Sequence, residues 1–501
     1  MMEEEPIAYY VEENVTQPLT VSSNSINYDP SGTSDSLLLA LRIRDHQTMG
    51  KKRIVKNLLV MFSSFFIFFL GFQSLSNLQT TMNSDKGIGV ESQALIYAAS
   101  MVSSILLPEF LIKTIGCKRT IVFMFLCSLP YLISNFKPTF EFIMPSSILM
   151  GIAIGPLNTA GAFYVNEMSL RYYKISMSES METILARFFG LMSFFLENTQ
   201  IWGNLISYYI LRPAMIPLMN HTNTTCGIDF VKNADGNGTN PNLQPPSDDK
   251  RYMLVSIYVL SAVIAATLMG LFMDKLENDI ESETSEGKCK AVLWRLLAAA
   301  KHAVLPDQIL LLPLTILVGM ELAFYTGEIT QAYIACSWGV HHVGFVTVCF
   351  GVCGALMSLL VGPLVKCISQ MAVLILAALA NVSICIVLFL WEPTPEFKTM
   401  YFVIAGVWGM GDAIWWSQVT ALYGLMFPND REAAFSNLYF WSFLGFFLSY
   451  SYANYFTVAV KINILLCFLL AGMLGYMIGQ IRLKCSSRKE YVPIPDSGDS
   501  S

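Results

Sequence analysis

The chain has 501 residues, of which 54% are hydrophobic and only 14% charged, with a net charge of −6 and a mean hydropathy of +0.51. A soluble domain carries roughly a quarter charged residues, so lipid is the expected solvent. The acidic balance argues against a nucleic-acid partner.

The first residues, MMEEEPIAYYVEEN, are acidic and polar and lack the basic-then-apolar order of a signal peptide. The first spanning segment is therefore expected to act as its own anchor, with residues 1–53 as a tail. A span needs about 20 apolar residues. Twelve stretches qualify, near 54–75, 91–112, 120–136, 142–166, 187–211, 252–273, 307–328, 340–363, 370–391, 400–426, 433–455 and 461–482. The third is short and is interrupted by Pro130. The predicted class is an all-α polytopic membrane protein of twelve helices in two six-helix halves.

Orientation follows from the basic residues of the connections. With the N-terminus inside, 22 of the 31 Lys and Arg fall in cytoplasmic segments and 8 in external ones. Both termini are thus expected in the cytoplasm, with 483–501 as the C-terminal tail. The sequons agree. Asn220, Asn223 and Asn237 lie in one polar segment, 212–251, which this topology places outside as a glycosylated loop. Asn14 also heads a sequon, but it lies in the inner tail and should stay bare. The eleven cysteines include no Cys-x-x-Cys pair, so neither a zinc site nor a disulfide scaffold is expected. Most sit in apolar runs, as small hydrophobes do.

Acidic residues inside spans are the candidates for function. In FFLENTQIWGN (194–204), Glu197 lies ~14 Å past Phe188 at the helical rise. In GVWGMGDAIWWSQ (406–418), Asp412 lies ~15 Å past Phe402. Both fall near the midplane, and no Lys or Arg lies at that depth to pair with them. They are protonated and hydrogen-bonded between helices, or hold a proton or cation in a transport cycle, or line a water-filled cavity. In GMELAFYTGEITQAY (319–333), Glu321 and Glu328 are seven residues apart and share a helical face. Glu321 is expected to face a cavity. Glu328, ~28 Å along from Ile309, is expected at the outer surface in contact with solvent. Gly406, Gly409 and Gly411 allow close helix approach, and Gly151, Gly155 and Pro156 are expected to loosen the fourth span. His341 and His342 open the eighth span, at a solvated helix end. No metal spacing, nucleophile elbow or phosphate loop is present, so an enzyme is not expected and no cofactor is implied.

The sequence repeats weakly with a period near 250. Gly71-Phe-Gln73 is echoed by Gly319-Met-Glu321, Gly89-Val90 by Gly339-Val340, and Pro108 to Lys113 by Pro363 to Lys366. With the charged segment 274–306 between them, residues 54–273 and 307–482 read as two parallel six-helix repeats, the architecture of the major facilitator superfamily. KTIGCKR (113–119) resembles that superfamily's short basic loop, without its usual leading acid.

Six ordered stretches carry a closer resemblance: QSLSNLQTTMNSDKGIGV (73–90), LIKTIGCKRTI (111–121), TQIWGNLIS (199–207), GEITQAYIACSWGVHHVGFV (327–346), GMGDAIWWSQ (409–418) and REAAFSNLYFW (431–441). They resemble the uncoordinated ninety-three family, a branch of the major facilitator superfamily, from the first span to the twelfth. That resemblance implies a membrane-embedded regulator on a transporter fold. One branch regulates a two-pore-domain potassium channel, and another escorts Toll-like receptors to endosomes. Two positions depart from the pattern: Glu197 stands for a neutral polar residue and Asn158 for an aromatic one.

In the C-terminal tail, YVPI (491–494) fits the Tyr-x-x-hydrophobic signal read by clathrin adaptors, through Tyr491 and Ile494. The expectation is a plasma-membrane glycoprotein, cycling through endosomes, that modulates a potassium channel and potassium homeostasis. The alternatives are a proton-coupled small-solute transporter, motivated by Glu197 and Asp412, and a trafficking escort for receptors.

Overall fold

The computed structural model describes residues 49–82, 88–176, 179–211, 226–230, 247–275, 301–394, 396–427 and 431–490. Each of the twelve expected ranges is helical. They are α1 (Lys51–Met82), α2 (Ile88–Leu106), α3 (Cys117–Cys127), α4 (Phe140–Ser176), α5 (Met181–Leu211), α6 (Asp248–Phe272), α7 (Pro306–Phe324), α8 (Val340–Ile368), α9 (Gln370–Leu390), α10 (Lys398–Met426), α11 (Arg431–Ser451) and α12 (Val458–Glu490). Pro130 opens a separate turn, Leu129–Ser134, so the third segment is broken where the sequence suggested.

Among the described residues, eight helical segments are long and apolar enough to cross a membrane, with the third expected segment counted from Cys117 through Ser134. Large apolar side chains on their outer faces, such as Leu271, Leu379 and Leu470, are exposed, as lipid-facing residues are. The four that fall short are α2, α5, α10 and α11, and the reason is chemical. Their inward faces are polar: Ser100, Ser103 and Ser104 on α2, Glu197, Gln200 and Asn204 on α5, Asp412 and Gln418 on α10, and Asn437 and Ser442 on α11 are all buried. These same helices join the two sets of six, because α5 packs along α8 and α2 packs along α11.

Glycine sets the closeness of those seams. An added Cβ at Gly190 of α5 would stand 2.7 Å from the Ser358 carbonyl oxygen of α8, and one at Gly344 of α8 would stand 3.1 Å from the Asn204 carbonyl oxygen of α5. Gly151 and Gly155 do not loosen α4, contrary to expectation. A Cβ at Gly151 would meet the Ile96 carbonyl oxygen at 2.3 Å, so these glycines clamp α4 onto α2.

The internal repeat has a backbone signature. Gly116, between the second and third segments, has φ 83° and ψ 152°. Ser369, between α8 and α9, has φ 79° and ψ 154°. The same left-handed turn recurs at the same connection of each set, with a residue other than glycine in the second copy.

At the face where α1 begins, Asp274 accepts from Arg53 Nε at 2.8 Å and from Lys56 Nζ at 3.1 Å. Arg53 leads the neighbours that hold the Asp274 carboxyl down to about 2. On the opposite face, Cys226 and Cys336 form a disulfide across a separation of 110 residues. Cysteine spacing gives no sign of a disulfide scaffold, and this cross-link was not anticipated. A spacing rule finds close pairs, and these two meet only through the tertiary fold. The bond ties Cys226, beside the Gly227–Asp229 turn, to the far end of the seventh helix, and Gly227 also packs on Pro393.

Candidate functional site

Three acids predicted from separate spans come together. Asp412 of α10 lies within hydrogen-bonding reach of Glu197 of α5 and of Glu321 of α7. All three are buried, at 3%, 5% and 0% exposure respectively. Glycine makes room for them. A Cβ at Gly354 of α8 would stand 2.6 Å from Glu197 Oε2, and one at Gly411 would stand 2.4 Å from Asn381 Oδ1. Asn381 of α9 donates to Glu321 Oε1 at 3.4 Å. Among the described residues, no N–H or hydroxyl group donates to Glu197 Oε2, Asp412 Oδ1 or Glu321 Oε2. A bond between two carboxyls needs a proton, so each contact in the row Glu197–Asp412–Glu321 requires that one of its two carboxyls be protonated. Among the described residues, no three His, Cys, Asp or Glu groups converge as metal ligands.

Glu197 and Asp412 open onto a cavity of about 140 Å³ lined by α1, α2, α4, α5, α7, α10 and α11. Glu321 lies behind it, in the interior of the second set of helices. Asn158, singled out as an odd residue, lines the same cavity and spends its amide on the Ile154 carbonyl oxygen at 3.0 Å. Aromatic rings fill much of the rest. Tyr97 of α2 stacks on Phe446 of α11 with centroids 4.3 Å apart. Trp416 lies 6.4 Å from Tyr439 and 6.5 Å from Phe446. Sequence reading missed these rings. Trp416 carried a signal, because it stands four residues after Asp412 and so shares its face. Tyr97 carried none.

Glu328 is not solvated. It is buried and pairs with Lys461 of α12, Nζ to Oε2, at 2.7 Å, with side-chain exposures of 5% and 0%. Lys461 also donates to the Ala453 carbonyl oxygen at 2.8 Å. The expectation failed because the seventh helix does not stop at Glu328. It continues through a π-helical stretch, Tyr325–Ala335, and on to Trp338. The wider turn and the extra length carry Glu328 inward against α12. His342 stacks on Trp338 with centroids 4.0 Å apart rather than standing free in solvent. Asn14, Asn220, Asn223, Asn237, Tyr491 and Ile494 lie outside the described residues.

Comparison with known proteins places this geometry. By fold, the chain is similar to the proton:xylose symporter XylE of the major facilitator superfamily, with a TM-score of 0.57 and 12% identity, covering 84% of this chain and 95% of that one. It is similarly close to the superfamily transporter FucP in its outward conformation, with a TM-score of 0.55, 13% identity and coverage of 85% and 99%. By sequence, it is 36% identical over 426 residues to protein unc-93 homolog A of Xenopus laevis, covering 84% of this chain and 92% of that protein. It is 30% identical over 435 residues to the "Putative potassium channel regulatory protein unc-93" of Caenorhabditis elegans, covering 85% of this chain and 61% of that protein. The family profile described as "Ion channel regulatory protein UNC-93" matches residues 79–477, from the end of α1 into α12. On that span of agreement, the chain is an all-helical membrane protein of the major facilitator fold and belongs to the UNC-93 family.

Proposed function

We propose that the chain is a regulatory subunit of a potassium channel, working by contact with the channel inside the membrane rather than by catalysis. The observation that carries this reading is the family match over residues 79–477, with a relative named as a potassium channel regulator. The proposed partner is a two-pore-domain channel. The proposed setting is the plasma membrane, with both termini in the cytoplasm and Asn220, Asn223 and Asn237 glycosylated outside. The disulfide at the 212–251 segment supports that orientation, since such bonds persist on the oxidising side of a membrane. Tyr491 and Ile494 would then face clathrin adaptors and drive endosomal cycling. Whole-cell potassium current tests the proposal, with the chain expressed alone and then beside a two-pore-domain channel. A change in current only with the channel is expected. Unchanged current in both conditions refutes it.

A second reading has its own observation. The carboxyl chain Glu197–Asp412–Glu321 meets a cavity between the two sets of helices, which suits proton-coupled movement of a small solute. Its signature is a pH-dependent flux from the chain alone. A flux that survives Glu197→Gln/Asp412→Asn eliminates it.

A further inference from the structure

The cavity at Glu197 and Asp412 has an unusual lining. Two buried carboxyls line it, and among the described residues no Lys or Arg does. Lys461, the buried lysine of the second set of helices, is already paired with Glu328. Among the described residues, Glu197 Oε2 and Asp412 Oδ1 have no N–H or hydroxyl donor. A group that supplies positive charge is the missing counterpart.

The remaining wall says what kind of cation fits. A bare metal ion is a poor match, because the described acids do not converge with ligand geometry. Small hard ions also need several oxygens closing around them. Here the carboxyls lie on one side, and the rings of Tyr97, Trp416, Tyr439 and Phe446 lie on the same cavity. Trp416 reaches Asp412 with its side chain and lies 6.4 Å from Tyr439. Aromatic faces attract a cation that has shed its water, and they do so best for a diffuse organic one. The room is adequate: about 140 Å³ of water-sized space holds on the order of ten waters.

We propose that this cavity binds an organic cation, an amine or quaternary ammonium group carried on an apolar body, with Glu197 and Asp412 as its counter-charges and Trp416 and its neighbouring rings as its wall. The proposal deepens the solute reading by naming the ligand class. It concerns binding alone, so a chain that moves nothing across the membrane still tests it.

The test uses the full chain in lipid nanodiscs and tritiated N-methyl-4-phenylpyridinium. Neutral 4-methylbiphenyl, of the same shape, and anionic 4-phenylbenzoate are the competitors. Saturable binding is expected, displaced by unlabelled cation and at least tenfold less well by the other two. Glu197→Gln/Asp412→Asn should weaken binding at least tenfold, and Trp416→Leu several-fold. The competition series needs only the unaltered chain, so it decides the matter even where a variant misfolds. No saturable binding to the folded chain overturns the proposal, as does competition by the neutral or anionic compound equal to that of the cation. Full affinity in a folded double variant overturns it too, and places the site elsewhere.

Discussion

Lys461→Met isolates the strongest claim about the interior, that Glu328 is buried and paired. The two groups are 5% and 0% exposed and 2.7 Å apart, so solvent screening does not discount the interaction. Removing one partner of a buried pair costs about 3–5 kcal/mol, because the other charge is left without compensation. At 1.4 kcal/mol per decade, this lowers the folded-to-unfolded ratio by a factor of at least about 100. Glu328→Gln should cost a similar amount, with Lys461 left only the Ala453 carbonyl oxygen. The double change Glu328→Gln/Lys461→Met removes both charges and should recover most of the loss, since neutral replacements of buried pairs are often harmless. The assay is unfolding of the chain in nanodiscs, followed by tryptophan fluorescence, for the four members of the cycle. The expected pattern is two strongly destabilised single variants and a double variant near the starting protein. Single variants within about 1 kcal/mol of it, the range of exposed pairs, would refute the burial argument.

Four other outcomes follow from the geometry. Cys226→Ser and Cys336→Ser should each free one thiol for alkylation and destabilise the chain, by up to about 4–5 kcal/mol for a loop of this length; peptide mapping under non-reducing conditions checks the pairing. Gly151→Ala should cost about 1–3 kcal/mol by overpacking, while Gly270→Ala, which meets nothing within 4 Å, should be neutral or slightly stabilising in the same unfolding assay. Ser369→Gly should stabilise by about 1 kcal/mol, since it relieves a left-handed backbone that costs other residues about 1–3 kcal/mol and loses only a long 3.5 Å cap to Ala372 N. Asp274, held at about 2 in the folded chain, stabilises it above the ordinary carboxyl range; that contribution fades as pH falls from about 4 to 2 and is absent in Asp274→Asn, a difference that pH-dependent unfolding would read.

Hydropathy placed a helix in each of the twelve expected ranges, eight of them in segments long and apolar enough to span, because burial in lipid demands a long apolar run whatever the neighbours are. The acids Glu197, Asp412 and Glu321 were legible for the same reason, since a carboxyl in such a run stands out. Their meeting was not legible. It depends on α5, α7 and α10 converging, and on Gly354 and Gly411 leaving space where a side chain would intrude. Glu328 was misplaced by a helix end. Counting rise from Ile309 assumes an α-helix that stops on schedule, and a π-helical stretch breaks both parts of that assumption. The Cys226–Cys336 bond was invisible because its partners are 110 residues apart and share no local pattern.

The four helices that fail the apolarity test bear on what the molecule does. A chain whose work ended at docking against another membrane protein would gain stability from Gln or Leu at positions 197 and 412, because a buried acid in the membrane costs at least about 2.5–3.5 kcal/mol. This chain instead places its acids at the seam between its two sets of helices, beside a cavity and an aromatic wall. The two readings meet at that seam. An occupant that bridges α5 and α10 would bias how the sets pack, and a channel touching the outer faces of the same helices would sense the change. Regulation of a partner and occupancy of the cavity are then linked equilibria, each able to shift the other by the same factor. Channel current measured with and without N-methyl-4-phenylpyridinium, in the unaltered chain and in Glu197→Gln/Asp412→Asn, would reveal the linkage as a cation effect that only the unaltered chain shows. An identical cation effect in both would locate it in the channel itself and separate the cavity from regulation.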